Sequence, residues 1–178
     1  PFRVLGGAVA YTSFITKRLD ANASIVSKVG GDFPEAYMWW LAQEGIDVSG
    51  VVRVAGDKTT SFELEYSKDL SERALKLKSK GPLIDLNDLP SDLHAKAVHI
   101  APIANEFSYE VVEHLKSCAD LLSLDPQGLL RSFDENGTVT PNSPLDKHIL
   151  SLINIYKSSL DEIYALTGAS ELKPAVKA

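Results

Sequence analysis

Leu5-Gly6-Gly7-Ala8-Val9-Ala10-Tyr11 and, 21 residues further on, Val26-Ser27-Lys28-Val29-Gly30-Gly31-Asp32 decide how this chain reads. In the first, a glycine pair precedes a run in which Val9, Phe14, Ile15 and Leu19 recur near helical spacing, which predicts a helix over 8–19. In the second, a short apolar strand over 23–29 ends in a glycine pair and a carboxylate. Residues 33–44 then place Ala36, Tyr37, Trp40 and Leu41 on one side of a second helix, with Gly45 as its C′ residue. Strand joined to helix, twice over, points to an α/β fold. A glycine pair lets backbone N–H groups approach a ligand with no Cβ in the way, and a helix start beside it favours an oxygen-rich or anionic group. The same dipeptide before a helix also serves as a plain tight turn, and the spacing alone leaves both readings open.

The rest of the composition narrows the field. The 178 residues suit one domain with a real core, and 44% hydrophobic with 24% charged residues is the balance of a folded chain. A net charge of −6 argues against a general nucleic-acid binder, which would show a basic face. The single cysteine, Cys118, has no intramolecular disulfide partner, so a reducing, cytoplasmic setting is expected. No apolar run reaches the ~18 residues that a membrane span needs. The chain begins Pro1-Phe2 and stops just after a helix-like segment, so it is expected to be a piece of a longer protein.

Beyond Gly45 the pattern changes. Residues 51–54 and 59–66 alternate, with Phe62, Leu64 and Tyr66 on one side and Ser61, Glu63 and Glu65 on the other, and a turn at 55–58 separates them. Residues 73–77 alternate again. The expected organisation is therefore an α/β core over 1–47 and 81–178 with an antiparallel β insert over 48–80, acting as a lid or a dimer surface. A polar connection over 85–93, a strand over 97–103 and a helix over 108–119 follow. Ser108 is the expected N-cap of that helix, and Val111, Val112 and Leu115 are expected to face inward. A strand over 120–125 puts Asp125 at its carboxyl end, where open α/β sheets place their ligands. A loop over 134–144, a helix over 145–152, a strand over 153–157 and a short helix from Ser159 to Leu166 complete the chain, with Gly168 as the stop.

No His-x-x-His or Cys-x-x-Cys pair, nucleophile elbow or Walker phosphate loop occurs. Three polar groups remain at strand ends: Asp32; Asp125-Pro126-Gln127-Gly128 with Arg131; and Lys157-Ser158-Ser159-Leu160-Asp161-Glu162. Ser159 and Glu162 have the spacing of a capping box, and Asp125 before Pro126 also suits a turn. Together, however, the three groups would line one rim of one sheet.

In this order the motifs resemble the ribokinase-like (PfkB) family of sugar and nucleoside kinases. The resemblance runs through Leu5-Gly6-Gly7-Ala8, Lys28-Val29-Gly30-Gly31-Asp32, Leu41 to Ser49, Thr59-Thr60-Ser61-Phe62, Asp125-Pro126-Gln127, Lys157 to Glu162 and Leu166-Thr167-Gly168. Three positions depart from the common pattern, where the family has asparagine and this chain has Tyr11, Gln127 and Ser159. The myo-inositol kinases of the family are similar here: an aromatic in the first helix, Val26 to Gly30, Thr59 to Glu63, Asp125 to Asp134 and Lys157 to Glu162.

The resemblance implies a three-layer α/β/α sandwich with a small antiparallel lid, and an ATP- and Mg²⁺-dependent kinase acting on a sugar or polyol, with myo-inositol the best single choice. Nucleoside or hexose kinases of the same family, or a binding module without activity, are the alternatives. By position, Gly6, Gly7, Tyr11, Asp32, Thr60, Glu106 and Gln127 would contact substrate. Lys157, Ser159, Glu162 and Arg131 would face the phosphates, with Glu162 reaching Mg²⁺ through water. The family's catalytic Asp lies in a Gly-Ala-Gly-Asp turn, and no Gly-x-Gly-Asp occurs in this chain. The isolated 178-residue chain is therefore expected to lack kinase activity. A homodimer through the lid is the expected macromolecular partnership.

Overall fold

The computed structural model describes residues 3–69, 73–140 and 145–177. Two β-α-β units form its backbone. In the first, β1 (Ser24–Gly30) runs through α2 (Glu35–Gln43) into β2 (Asp47–Val54), and the two strands pair in parallel. α1 (Ala8–Arg18) precedes them. In the second, β5 (Ala95–Ile100) and β6 (Ala119–Leu124) pair in parallel around α3 (Tyr109–Cys118), and β9 (Ile155–Tyr156) adds to β6, also in parallel. Between the units, β3 (Ser61–Tyr66) and β4 (Arg73–Ser79) form an antiparallel hairpin. Parallel pairs need a crossover that covers them, and here helices supply it.

Each unit has its own core. Ile25, Leu41 and Ile46 are buried between β1 and α2, with Val9 and Phe14 of α1 packed against them. The larger core gathers Ile100, Val111, Val112, Leu115, Leu122, Leu124, Leu129 and Ile149 around α3 and β6. Val111, Val112 and Leu115 thus point inward as their spacing predicts. Gly45 has φ +77 and closes α2.

Several expectations are corrected. Residues 51–54 belong to β2, which pairs in parallel with β1; within the expected insert the antiparallel pair is β3–β4. A β-rich, alternating segment does not reveal its partner, because periodicity reports burial on two faces and not strand direction. α1 is rotated from the predicted face: Ala10 and Ser13 are buried, whereas Ile15 and Leu19 are 61% and 75% exposed. The small residues allow close approach, and the Ser13 hydroxyl is satisfied by donating to the Val9 carbonyl at 2.8 Å. Ser108 occupies the N-cap of α3 without a side-chain capping bond.

Within the stretch 134–144, which the sequence predicts as a loop, residues 134–138 form a turn, and Val139–Thr140 is a strand, β8, that pairs antiparallel with β7 (Ser132–Phe133). Asp134 Oδ1 accepts from the N–H groups of Asn136 and Thr138 at 2.9 and 2.7 Å, and Gly137 turns at φ +78. Pro141 and Pro144, also assigned to that loop, lie outside the described residues.

Near the C-terminal end, α4 (His148–Leu152) and β9 are shorter than their sequence patterns. Asn154 explains the short β9. Its side-chain oxygen accepts from the Leu122 N–H at 2.9 Å and so replaces one rung of the ladder. α5 (Leu160–Thr167) ends at Gly168, φ +71, and α6 (Leu172–Lys177) follows.

Candidate active site

The carboxyl ends of β1, β5, β6 and β9 carry the polar groups singled out in the sequence, and the structure sorts them into three clusters.

The first joins the loops after β5 and β6. Gly128 donates to the Pro102 carbonyl at 3.0 Å, and a Cβ there would run into the Pro102–Ile103 backbone. Arg131 Nη1 donates to the Ile103 carbonyl at 3.0 Å. Glu106 folds back so that both carboxylate oxygens accept from the Ile103 N–H, at 3.0 and 2.9 Å. Burial pushes the Glu106 carboxyl above its ordinary range, against the pull of backbone N–H donors. Asn105, at φ +56, donates from its N–H to the Gly128 carbonyl and from its side chain to the Arg131 carbonyl at 3.1 and 2.9 Å.

The amino end of α1 reaches this cluster. A Cβ on Gly7 would sit 3.8 Å from Ile103 Cδ1, an ordinary contact, and one on Gly6 would meet nothing within 4 Å. The β3–β4 hairpin reaches it from another side. The Arg131 guanidinium lies 5.3 Å from the centre of the Phe62 ring, and Phe62 also contacts Phe133. Gly6, Gly7, Glu106, Arg131 and the hairpin are therefore gathered as one neighbourhood. Gln127 sits half-buried in the same loop, its N–H directed to Asp125 Oδ1 at 3.2 Å. Tyr11, one turn along α1, is 63% exposed.

The second cluster is an ion pair. Asp125, 7% exposed, accepts from Lys157 Nζ at 2.8 Å across the ends of β6 and β9. The hydrogen bond it donates to Asp125 holds the Lys157 ammonium above its ordinary pKa. His99 and Ser123, facing each other on β5 and β6, are hydrogen-bonded at 3.1 Å. Burial lowers the His99 pKa, partly offset by Asp125. Ser159 and Glu162 form the capping box that their spacing allows. Glu162 N–H donates to Ser159 Oγ at 3.3 Å, and Ser159 N–H donates to Glu162 Oε2 at 2.8 Å.

The third cluster is at the end of β1. Asp32 Oδ1 accepts from the N–H and the hydroxyl of Thr59 at 2.7 and 2.9 Å. Thr60 Oγ1 accepts from the Gly81 N–H at 2.9 Å. Both residues expected to touch substrate thus bind the base of the hairpin.

Sequence reasoning missed Asn105 and the Phe62–Arg131 contact, and it named Thr59 in the hairpin motif without the bonds it makes to Asp32. Asn in a left-handed conformation is a recognisable turn signal, whereas the other two depend on which segments the fold brings together. Among the described residues no group of three or more His, Cys, Asp or Glu side chains is placed to hold a metal ion. Lys157 is 65% exposed at its side chain while paired with Asp125. None of the described helices is long and apolar enough to cross a membrane.

Residues 3–178 match the pfkB family carbohydrate kinase. The chain belongs to the pfkB family. Curated relatives include a nucleoside kinase of Methanothermobacter thermautotrophicus, 29% identical over 68% of this chain and 40% of the relative. A cytidine kinase of Thermococcus kodakarensis is 27% identical over 97% and 59%, and an inositol 3-kinase of Arabidopsis thaliana 27% over 89% and 44%. This pfkB chain therefore spans about half the length of the curated relatives it matches. Among solved structures, a pyrophosphate-dependent kinase of the ribokinase family complexed with a pyrophosphate analogue and myo-inositol superposes with a TM-score of 0.80. It is 24% identical over 97% of this chain and 59% of that structure. A fructokinase of Vibrio cholerae superposes at 0.71 and 18% identity, over 99% and 62%. The fold is accordingly ribokinase-like.

Proposed function

We propose that this chain is the acceptor-binding portion of a kinase that transfers a phosphoryl group to a hydroxyl of a sugar or polyol, with myo-inositol as the preferred acceptor. The observation that carries the proposal is the neighbourhood around Gly7, Ile103, Glu106 and Arg131, in a chain of pfkB membership. Gly6 and Gly7 leave backbone within reach of a hydroxylated ligand, and Tyr11 and Gln127 are proposed as further contacts to it. Asp32 and Thr60 lie at the base of the β3–β4 hairpin, which would close over the acceptor and exclude water.

Arg131 and Lys157 supply positive charge toward the phosphates. ATP with Mg²⁺ is the proposed donor, and the ion would offset charge developing on the transferred group. Glu162 would approach the ion through water, as the family resemblance implies, while its Oε2 accepts from the Ser159 N–H. No residue of this chain is assigned as the base that takes the acceptor proton.

The full-length protein, supplied with ATP and Mg²⁺, should phosphorylate myo-inositol in preference to ribose, fructose, adenosine and cytidine. Turnover of cytidine or adenosine without myo-inositol would replace the polyol by a nucleoside, the reading that the names of two relatives favour. No acceptor-dependent turnover with any of them, with ATP or pyrophosphate, would overturn the kinase reading. The apolar face of the hairpin, with Leu64 and Tyr66 47% and 56% exposed, is where a second copy would pair. A dimer that survives Phe62→Asp with Leu64→Asp would remove that interface.

A further inference from the structure

We propose that Asp32 is a positioning residue that fixes the base of the β3–β4 hairpin through Thr59, and is not a group that holds the acceptor. The connection between β2 and β3 lies directly on the end of β1. Gly31 N–H donates to the Asp57 carbonyl at 3.1 Å, and Gly30 N–H donates to Thr59 Oγ1 at 3.1 Å. That hydroxyl in turn donates a hydrogen bond to Asp32 Oδ1, which also accepts from the Thr59 N–H. Thr59 is thus held by its backbone and its side chain, and Asp32 accepts from both.

The glycines follow from the same approach. A Cβ on Gly30 would run into the Asp57–Thr59 backbone, and one on Gly31 would stand 2.6 Å from the Ala55 carbonyl oxygen. This Gly-Gly-Asp segment therefore fits a protein segment and leaves little room for a ligand on that side.

The hairpin's second leg is fastened to the first at the same level. Ser79 Oγ donates to the Thr59 carbonyl at 2.6 Å, and Thr60 Oγ1 accepts from Gly81 N–H at 2.9 Å. Whatever sets Thr59 therefore sets both legs. The platform beneath does not depend on the Asp32 side chain. Arg53, on β2, holds the carbonyls of Gly31 and Phe33 at 3.3 and 2.7 Å and pairs with Glu35 at 2.8 Å. Lys58 Nζ, 3.9 Å from Asp32 Oδ2 and 72% exposed, adds only a weak surface pair. Removing the carboxylate should release the hairpin and leave the end of β1 in place.

The test is amide exchange on the full-length, unliganded protein, with acceptor and donor kinetics measured alongside. Asp32→Ala should raise exchange at the Thr59 amide and across 61–66 and 74–79 by about tenfold, the worth of one charge-assisted hydrogen bond. Thr59→Val should raise it less, because the backbone donor to Asp32 survives, and Thr59→Ser should behave as wild type. Asp32→Asn keeps an acceptor oxygen and guards against misfolding of the alanine variant; its exchange should lie between wild type and Asp32→Ala. The kinetic arm rests on the kinase reading above: the acceptor KM should rise with the exchange rates while the donor KM stays put. Unchanged exchange in Asp32→Ala, with a raised acceptor KM, would overturn the proposal in favour of direct acceptor contact. Unchanged exchange with unchanged KM would overturn it as well. Raised exchange in a protein that phosphorylates nothing would sustain the latch and remove the kinase reading instead.

Discussion

The chain contains the same dipeptide twice, near the end of two neighbouring elements, and the two copies serve opposite conditions. Around Gly6 there is open space, and Gly7 has φ +91 with only a side-chain contact to Ile103. Around Gly30 and Gly31 there is protein backbone on the side where a Cβ would project. The first pair is exposed to what lies outside, and the second is closed by the Asp57–Thr59 segment. A glycine pair read from sequence cannot distinguish these cases, because the missing Cβ is equally needed to admit a ligand or another stretch of chain.

The largest effect should come from filling the closed pair. Gly30→Ala places a methyl group against backbone that cannot swing aside and should cost about 3 kcal/mol or more in denaturant unfolding. Gly6→Ala should change stability by no more than about 0.5 kcal/mol, and its effect should appear in the acceptor KM instead. Equal losses of stability in the two variants would break the contrast. Gly7→Ala falls between them. Its neighbour is at ordinary distance, but φ +91 with ψ 149 is backbone that L side chains avoid, so about 2 kcal/mol is expected from strain alone.

A smaller effect separates structural from ligand-facing polar groups at the opposite end of the chain. Ser159→Ala should cost about 1 kcal/mol by opening the capping box of α5, and this loss should be the same with and without nucleotide. A stability loss that grows when nucleotide is present would assign Ser159 to the phosphates.

The smallest effect is a pH response. The Thr59 backbone and hydroxyl donors hold the Asp32 carboxyl below the usual carboxylate range. A group whose folded pKa is depressed contributes above its unfolded pKa, and that contribution is lost as pH falls through the folded value. Thr59 amide exchange, corrected for its intrinsic pH dependence, should therefore rise only well into the acidic range. In Asp32→Asn that rise should be absent.

How much of this was legible beforehand follows from what each signal measures. The inward face of α3, the Gly45 and Gly168 helix ends and the Ser159–Glu162 cap are local, and their spacing was enough. The direction of β2, the turned face of α1 and the length of β9 are set by partners distant in sequence. β2 alternates like an edge of an antiparallel patch but runs parallel to β1, and Asn154 replaces a rung that a regular strand would have supplied. The site divides in the same way. The sequence order brought Gly6, Gly7, Glu106 and Arg131 into view, and the loops after β5 and β6 do join around Ile103. Asp32 and Thr60 were visible as polar groups at chain bends. That they engage the hairpin rather than open space follows from where residues 57–59 and Gly81 come to rest.

The contrast between the glycine pairs is tested most directly by amide exchange of the full-length protein with and without a saturating acceptor, myo-inositol first. The account predicts new protection over 6–10 and 103–106, with Gly30 and Gly31 already protected in the free protein. New protection confined to 30–32, with 6–10 unchanged, would contradict it.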